Sequence, residues 1–194
     1  MKRDIILAGV GGQGILSIAT TIGTAALNAG LHLKQAEVHG MSQRGGDVSS
    51  NLRIADHEIA SDLIPYGQAD LIISVEPMES LRYLPLLSPS GWVITNTRPF
   101  VNIPNYPEMD KLITEIEKIH NHIALDADEI AKKLGSIRSA NMVILGAASP
   151  FLEIDYAELQ KAIRHNFARK GEDIIKLNLD ALQAGRDFAQ THMN

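Results

Sequence analysis

Two glycine-bearing stretches carry the residue types best suited to holding an anion. The first, Gly9-Val10-Gly11-Gly12-Gln13-Gly14, fits G-x-G-x-x-G between an apolar run and a helical pattern. At such a strand-to-helix turn, free backbone N–H groups and the positive end of the helix dipole face a phosphate. A side chain at Gly11 would block close approach of that phosphate, and Gly14 lets the helix pack against the sheet. The second stretch, His39-Gly40-Met41-Ser42-Gln43-Arg44-Gly45-Gly46-Asp47, sets a permanent guanidinium beside two glycines. That combination suits gripping a carboxylate or phosphate, or fixing a sharp interface loop. Each stretch also has a plainer explanation: a tight crossover with nothing bound, and an exposed turn with a solvated arginine.

The elements that would position these loops follow from periodicity. Asp4 to Ala8 is a short apolar strand, and Ile15 to Leu27 repeats apolar residues at helical spacing. Leu31 to Val38 and Val48 to Ile54 are second and third strands. The unbroken apolar run Leu71 to Val75 suits a strand covered on both faces. Trp92 to Thr95 is a short strand after a turn at Ser88-Pro89-Ser90-Gly91, and the Pro-rich segment from Arg98 to Pro107 is an extended connection with a partly apolar face for a partner. Met109, Leu112, Ile113, Ile116 and Ile119 share one face of a helix. Ile123 to Leu125 is a small strand, and Asp126 with Glu129 makes a capping pair for a helix closed by Gly135. Helices over 139–148, 155–168 and 172–190 finish the chain. Strand and helix alternate and the end is helical. The expected fold is therefore α/β and Rossmann-like, a mostly parallel sheet with helices on both faces and a helical C-terminal segment. One domain over 1–194 is expected, with the helices from about 139 packing on it. In a parallel sheet the Arg44 loop emerges on the same carboxyl edge as the glycine loop, where doubly wound folds bind ligands.

Composition narrows the function classes. The 194 residues hold 18 Lys and Arg against 23 Asp and Glu, a net charge of −5, which argues against an electrostatically driven nucleic-acid binder. There is no cysteine, so disulfides, thiolate zinc sites, a cysteine nucleophile and a Cys-ligated iron–sulfur cluster are excluded from this chain. No apolar run reaches the roughly 18 residues a membrane span needs, and Met1-Lys2-Arg3-Asp4 leads into a strand instead of a signal-peptide core, so a cytoplasmic location is expected. His120 and His122 form H-x-H, but no third metal ligand follows from spacing, and polar residues at a strand entrance account for them better. No nucleophile or acid/base pair stands out, and no metal site is assigned. Either Glu76 faces the cleft, or Glu76 and Glu79 complement the N-terminus of a helix with Pro77 in its first turn, the second being the better account.

Several motifs together resemble a known family. GVGGQG at Gly9 to Gly14, HGMSQRGG at His39 to Gly46, Ala69-Asp70-Leu71-Ile72 and Glu76-Pro77-Met78-Glu79 are similar to the gamma-type domain of 2-oxoacid:ferredoxin oxidoreductases. The Ser42-Gln43-Arg44-Gly45-Gly46 version is similar to that of the separate beta subunit of the indolepyruvate-type enzymes. Agreement extends to Asn141 through Gly146 and to Asn178, Ala181 and Gly185. The resemblance implies a non-catalytic beta subunit of a complex that converts an aryl 2-oxoacid and coenzyme A to acyl-CoA and CO2 while reducing ferredoxin. It implies a large alpha subunit as partner, carrying thiamine diphosphate and the iron–sulfur clusters, and an isolated chain that is inactive and free to form a homodimer. It further implies that Gly9, Gly11, Gly12, Gln13 and Gly14, with Ser42, Gln43, Arg44, Gly45 and Gly46 nearby, form a cradle for part of coenzyme A. Two other readings stay open at this stage: a free-standing nucleotide-dependent oxidoreductase, for which Glu37 stands where a ribose-binding acid belongs, and a purely structural scaffold.

Overall fold

The computed structural model describes residues 1–39 and 45–193. Its sheet has six strands: β1 Lys2–Val10, β2 His32–His39, β3 Asp47–Ala55, β4 Ala69–Ser74, β5 Leu87–Asn96 and β6 His122–Leu125. They lie in the order β2-β3-β1-β4-β5-β6. The pairs β1/β4, β4/β5 and β5/β6 are parallel, whereas β3 runs antiparallel to both β1 and β2. Thus β3 alone is reversed and the sheet is mostly parallel, as the alternating pattern implies. The helices are α1 Ile15–Asn28, α2 Pro77–Arg82, α3 Met109–Glu117, α4 Ala127–Lys133, α5 Ala140–Ala148, α6 Tyr156–Phe167 and α7 Glu172–His192.

The reversed strand bears on function. In a dinucleotide-binding fold the second strand is parallel to the first and beside it, so the acid at its end reaches a ribose held on the glycine loop. Here β2 and β3 form a hairpin, and β3 stands between β2 and β1. Glu37 is therefore two strands from β1, one strand beyond the position a ribose-binding acid needs. The hairpin's turn nonetheless falls at the carboxyl end of β1, because Val10 is paired with Asp47.

Alternation along the strands sorts the core into two layers. Ile5, Leu7, Leu71, Ile73 and Ile94 join the helices α1, α5, α6 and α7 in one large apolar cluster. Ile6, Ile72 and Val93 turn to the opposite face and pack with Ile64, Tyr83, Leu84 and Ile119. Full burial of each such side chain stabilises the fold by about 1.5–3 kcal/mol. β4 is central and buried on both faces, which is why its sequence is an unbroken apolar run.

One expected turn is a strand irregularity instead. Ser88-Pro89-Ser90-Gly91 lies inside β5. The register with β4 jumps from Ala69↔Leu87 to Leu71↔Trp92, so these four residues stand opposite Asp70 alone in a bulge-like irregularity. A Cβ on Gly91 would stand 2.8 Å from the Ala69 carbonyl oxygen, and glycine allows that approach.

Two of the C-terminal helices, α5 and α7, cross backbone to backbone. A Cβ on Gly146 of α5 would meet the Leu182 carbonyl oxygen at 2.0 Å, and one on Gly185 of α7 would meet the Val143 carbonyl oxygen at 1.9 Å. Ala181, fully buried, sits at the same crossing. These contacts fix α7 against the rest of the molecule.

Candidate functional site

The loop from β1 to α1 is held open by its own glutamine. Gln13 Oε1 accepts the Val10 N–H at 2.8 Å, while Gln13 Nε2 donates to the Val75 carbonyl at 3.4 Å. The Gly11 N–H donates to the Gly46 carbonyl at 2.9 Å, which ties the loop to the β2–β3 turn. Gly14 is the N-cap residue of α1, with φ 86 and no side-chain cap. A Cβ there would lie 2.5 Å from Asn141 Nδ2, so glycine serves both the left-handed backbone and the close approach of α5. The first helical bonds run from the Ser17 and Ile18 amides to the Gly14 carbonyl. The amides of Ile15 and Leu16 therefore belong to the helix's unsatisfied N-terminal set. No acidic residue occupies the first turn of α1, so that positive end is uncompensated by its own helix.

This helix end opens on a cleft of about 670 Å³. Gly12, Gln13, Gly14 and Ser17 form one wall, Val75 and Asn96 at the carboxyl edge of the sheet form the floor, and residues of the α4–α5 connection and of α7 form the far side. The size is that of a nucleotide-sized ligand site. Two cations line it, Arg138 and Lys170, with Asp128 as the acidic lining residue. Lys170 Nζ stands 5.1 Å over the Phe167 ring, whose face holds the ammonium at the rim.

Asparagines order the cleft's polar surface. Asn96, almost fully buried, accepts the Ala127 and Arg98 amides and donates to Asp128 Oδ1 at 3.0 Å and to the Val75 carbonyl at 3.4 Å. It thereby joins the ends of β4 and β5 to the start of α4, where Asp126 accepts the Glu129 amide as the sequence implied. Asn141 Nδ2 donates to the Gly14 carbonyl at 3.2 Å and Asn178 Nδ2 to the Ile174 carbonyl at 2.7 Å. Asn178 is 6% exposed and lines the cleft from the N-terminal third of α7. The site can thus take a phosphorylated ligand: amides and cations for the anion, side-chain amides for its polar groups.

The residues singled out from sequence fall into three groups. Gly12, Gln13 and Gly14 line the cleft. Gly9, Gly11, Gly45 and Gly46 support it from behind: Gly9 packs under Val75 and Ile15, where a Cβ would lie 2.4 Å from Val75 Cγ2, and the others carry the hydrogen bonds between loops. Ser42, Gln43 and Arg44 lie outside the described residues. Sequence reasoning missed Arg138, Lys170, Asn96 and Asp128. Only for Asn96 was there a signal, an uncharged amide at the last position of a central strand, at the carboxyl edge where such folds bind ligands. Asn141 and Asn178 entered through the family resemblance alone.

Glu76 and Glu79 are buried, at 0% and 1% exposure. Glu76 caps α2, its Oε2 accepting the Glu79 N–H at 2.9 Å, with Pro77 in the first turn. Glu76 Oε1 accepts the Phe100 N–H at 3.3 Å and the Tyr106 hydroxyl. Burial, together with that bond to Glu76, holds the Tyr106 phenol well above its ordinary range. Burial likewise raises the Glu79 carboxyl, against the opposing pull of Arg82, which forks onto it at 2.7 and 3.0 Å. The helix-complement account of this acidic pair matches the geometry. His122 Nδ1 donates to the Ile119 carbonyl at 2.6 Å. Among the described residues no three His, Asp or Glu side chains are grouped to hold a metal ion. Among the same residues no helix is long and apolar enough to cross a membrane.

The glycine loop, the hairpin beside it and the cleft belong to an α/β fold with a mostly parallel sheet, and comparison with known proteins gives its family. Residues 4–188 match the pyruvate ferredoxin/flavodoxin oxidoreductase family, and the chain belongs to it. Among curated relatives, it is 39% identical over 97% of its length to an indolepyruvate oxidoreductase subunit IorB from Archaeoglobus fulgidus, covering 96% of that protein. Among solved structures, a keto/oxoacid ferredoxin oxidoreductase gamma subunit from Geobacter sulfurreducens superposes with TM-score 0.74 at 23% identity, covering 97% of this chain and 99% of that one. A 2-oxoglutarate:ferredoxin oxidoreductase from Magnetococcus marinus, solved with 2-oxoglutarate, coenzyme A and succinyl-CoA, superposes with TM-score 0.77 at 23% identity, covering 98% of this chain and 31% of that chain. At those identities the structural matches establish the shared fold.

Proposed function

We propose that the chain is the non-catalytic beta subunit of an indolepyruvate-type 2-oxoacid:ferredoxin oxidoreductase, one cytoplasmic domain acting within a complex. The observation that carries this reading is the end-to-end similarity to an indolepyruvate oxidoreductase subunit, 39% identical over nearly the full length of both chains. The complex converts an aryl 2-oxoacid and coenzyme A to acyl-CoA and CO2, and the two electrons released pass to ferredoxin. In this reading the large alpha subunit holds thiamine diphosphate and the iron–sulfur clusters, which supply the decarboxylation and the electron path. This chain has no cysteine and so cannot ligate such a cluster by thiolates.

The chain's own part is to bind and orient the phosphorylated portion of coenzyme A. The residues fit that anion: the N-terminal amides of α1 stand without an acidic neighbour in the first turn, and Arg138 and Lys170 line the same cleft. Gly12, Gln13 and Gly14 form the cradle wall, and Gly9, Gly11, Gly45 and Gly46 keep its shape. Arg44, with Ser42 and Gln43, follows β2 in the sequence, and its guanidinium would suit a phosphate or a carboxylate of the alpha subunit. A free-standing dinucleotide enzyme is disfavoured by the reversed strand between β2 and β1.

Anaerobic affinity purification of the tagged chain from its own cells tests the reading. A brown complex with a large partner containing thiamine diphosphate and iron–sulfur clusters is the expected result. A colourless protein without that partner overturns it.

A further inference from the structure

We propose that Glu76 is a positioning residue that sets the glycine loop through the crossing segment 98–106. An N-cap needs a single acceptor, and a short Ser, Thr, Asp or Asn usually provides it. Glu76 uses one carboxylate oxygen for that purpose, on the Glu79 N–H. Its other oxygen holds residues 24 and 30 positions further along the chain, the Phe100 amide and the Tyr106 hydroxyl. The carboxylate is completely buried, and burial of that group is tolerable only with such a full set of donors.

The contacts continue from there to the site. Between the two anchored positions, Asn102 Nδ2 donates to the Gly45 carbonyl at 2.7 Å. The next carbonyl, Gly46, accepts the Gly11 N–H at 2.9 Å. Phe100, held by Glu76 through its amide, also lines the cleft. A buried carboxylate outside the cleft thus fixes, in order, the crossing segment, the hairpin turn and the backbone of the glycine loop. The bonds are few and in series, so each link is separately breakable.

Glutamine at position 76 discriminates the two roles. Its single oxygen can keep the cap on the Glu79 amide, but its NH2 then faces the Phe100 N–H, donor against donor, while the Tyr106 hydroxyl can turn and accept. Hydrogen exchange on the purified full chain reads the result. In Glu76→Gln, exchange at Gly11 and across 98–106 is expected to accelerate about ten-fold, the usual effect of losing a hydrogen bond to a charged group. Asn102→Ala is expected to accelerate Gly11 comparably and leave the Glu79 amide as protected as in the wild type. Tyr106→Phe keeps the cap and one anchor, and serves if Glu76→Gln does not fold; it too is expected to loosen 98–106.

The second readout rests on the coenzyme A reading of the cleft. In the reconstituted complex, Asn102→Ala should raise KM for coenzyme A about ten-fold and leave KM for the oxoacid unchanged, because only the cradle is disturbed. If Gly11 exchange is the same in wild type, Glu76→Gln and Asn102→Ala, Glu76 is only a helix cap and the proposal is overturned. Faster Gly11 exchange with an unchanged KM for coenzyme A supports the positioning role and counts instead against coenzyme A as the ligand of the cleft.

Discussion

Substituting Gly185 by alanine tests the packing that holds the cleft's far wall. The added Cβ would lie 1.9 Å from the Val143 carbonyl oxygen, 2.8 Å from its carbon and 2.9 Å from the Ala147 nitrogen. To reach an ordinary contact of about 3.5 Å, α7 must withdraw from α5 by roughly 1.5 Å. Overpacking against side chains typically costs about 1–3 kcal/mol. Here the obstacle is backbone on a helix that buries Met142, Val143, Ile144 and Leu145, so no side chain can rotate away and the upper figure applies. For a domain of this size a loss of about 3 kcal/mol lowers the melting temperature by roughly 6–12 °C. Thermal unfolding followed by circular dichroism measures it directly. Gly12→Ala is the internal reference: its Cβ would meet no atom within 4 Å, and the strained backbone alone costs about 1–2 kcal/mol. Gly185→Ala melting within about 2 °C of the wild type, on the same size scaling, would refute the close crossing.

The other predictions concern charge and binding. Arg138→Ala and Lys170→Ala are each expected to raise KM for coenzyme A about ten-fold in the assembled enzyme, the usual scale for one charged hydrogen bond; a steady-state titration that shows no change for both removes the cleft from coenzyme A binding. Arg44→Lys keeps the charge but loses a bidentate contact, so complex assembly or turnover should fall, and full retention of both places Arg44 in solvent. Burial pushes the Tyr156 phenol up to about 12, against the pull of Arg186, whose guanidinium lies 4.4 Å from the ring centre. The folded state therefore keeps this proton longer than the unfolded chain, so its contribution to stability is complete below pH 10 and is lost as pH rises towards 12. Ultraviolet titration should lose amplitude near pH 12 in Tyr156→Phe, and loss of amplitude near the ordinary tyrosine value instead contradicts the burial argument.

Local chemistry made part of this fold legible. The glycine turn between β1 and α1, the Asp126–Glu129 cap and the unbroken run of β4 each carry their structure in adjacent residues. Strand direction does not appear in periodicity, since alternation reads the same for parallel and antiparallel pairing. That is why the reversed β3, and with it the displacement of Glu37 from a ribose-binding position, emerges only from the sheet order. Likewise Ser88-Pro89-Ser90-Gly91 has turn chemistry whether the extra residues close a turn or bulge a strand.

The cleft was half visible for a similar reason. Its glycine wall is contiguous in sequence, whereas Asn96, Asp128, Arg138 and Lys170 come from separate parts of the chain and converge only when α5 and α7 pack over the sheet edge. Gly146 and Gly185, part of the family resemblance, prove to be the residues that let those helices meet. A lone glycine in a helical pattern does not reveal which helix it faces.

The most direct test of the central claim is ferredoxin reduction by the proposed large partner subunit, measured with indolepyruvate and coenzyme A in the presence and absence of this chain. Neither protein alone is expected to turn over, and equimolar mixing should restore oxoacid- and coenzyme A-dependent reduction. Full activity of the large subunit alone, or oxidoreductase activity of this chain alone with a nicotinamide dinucleotide, would contradict it.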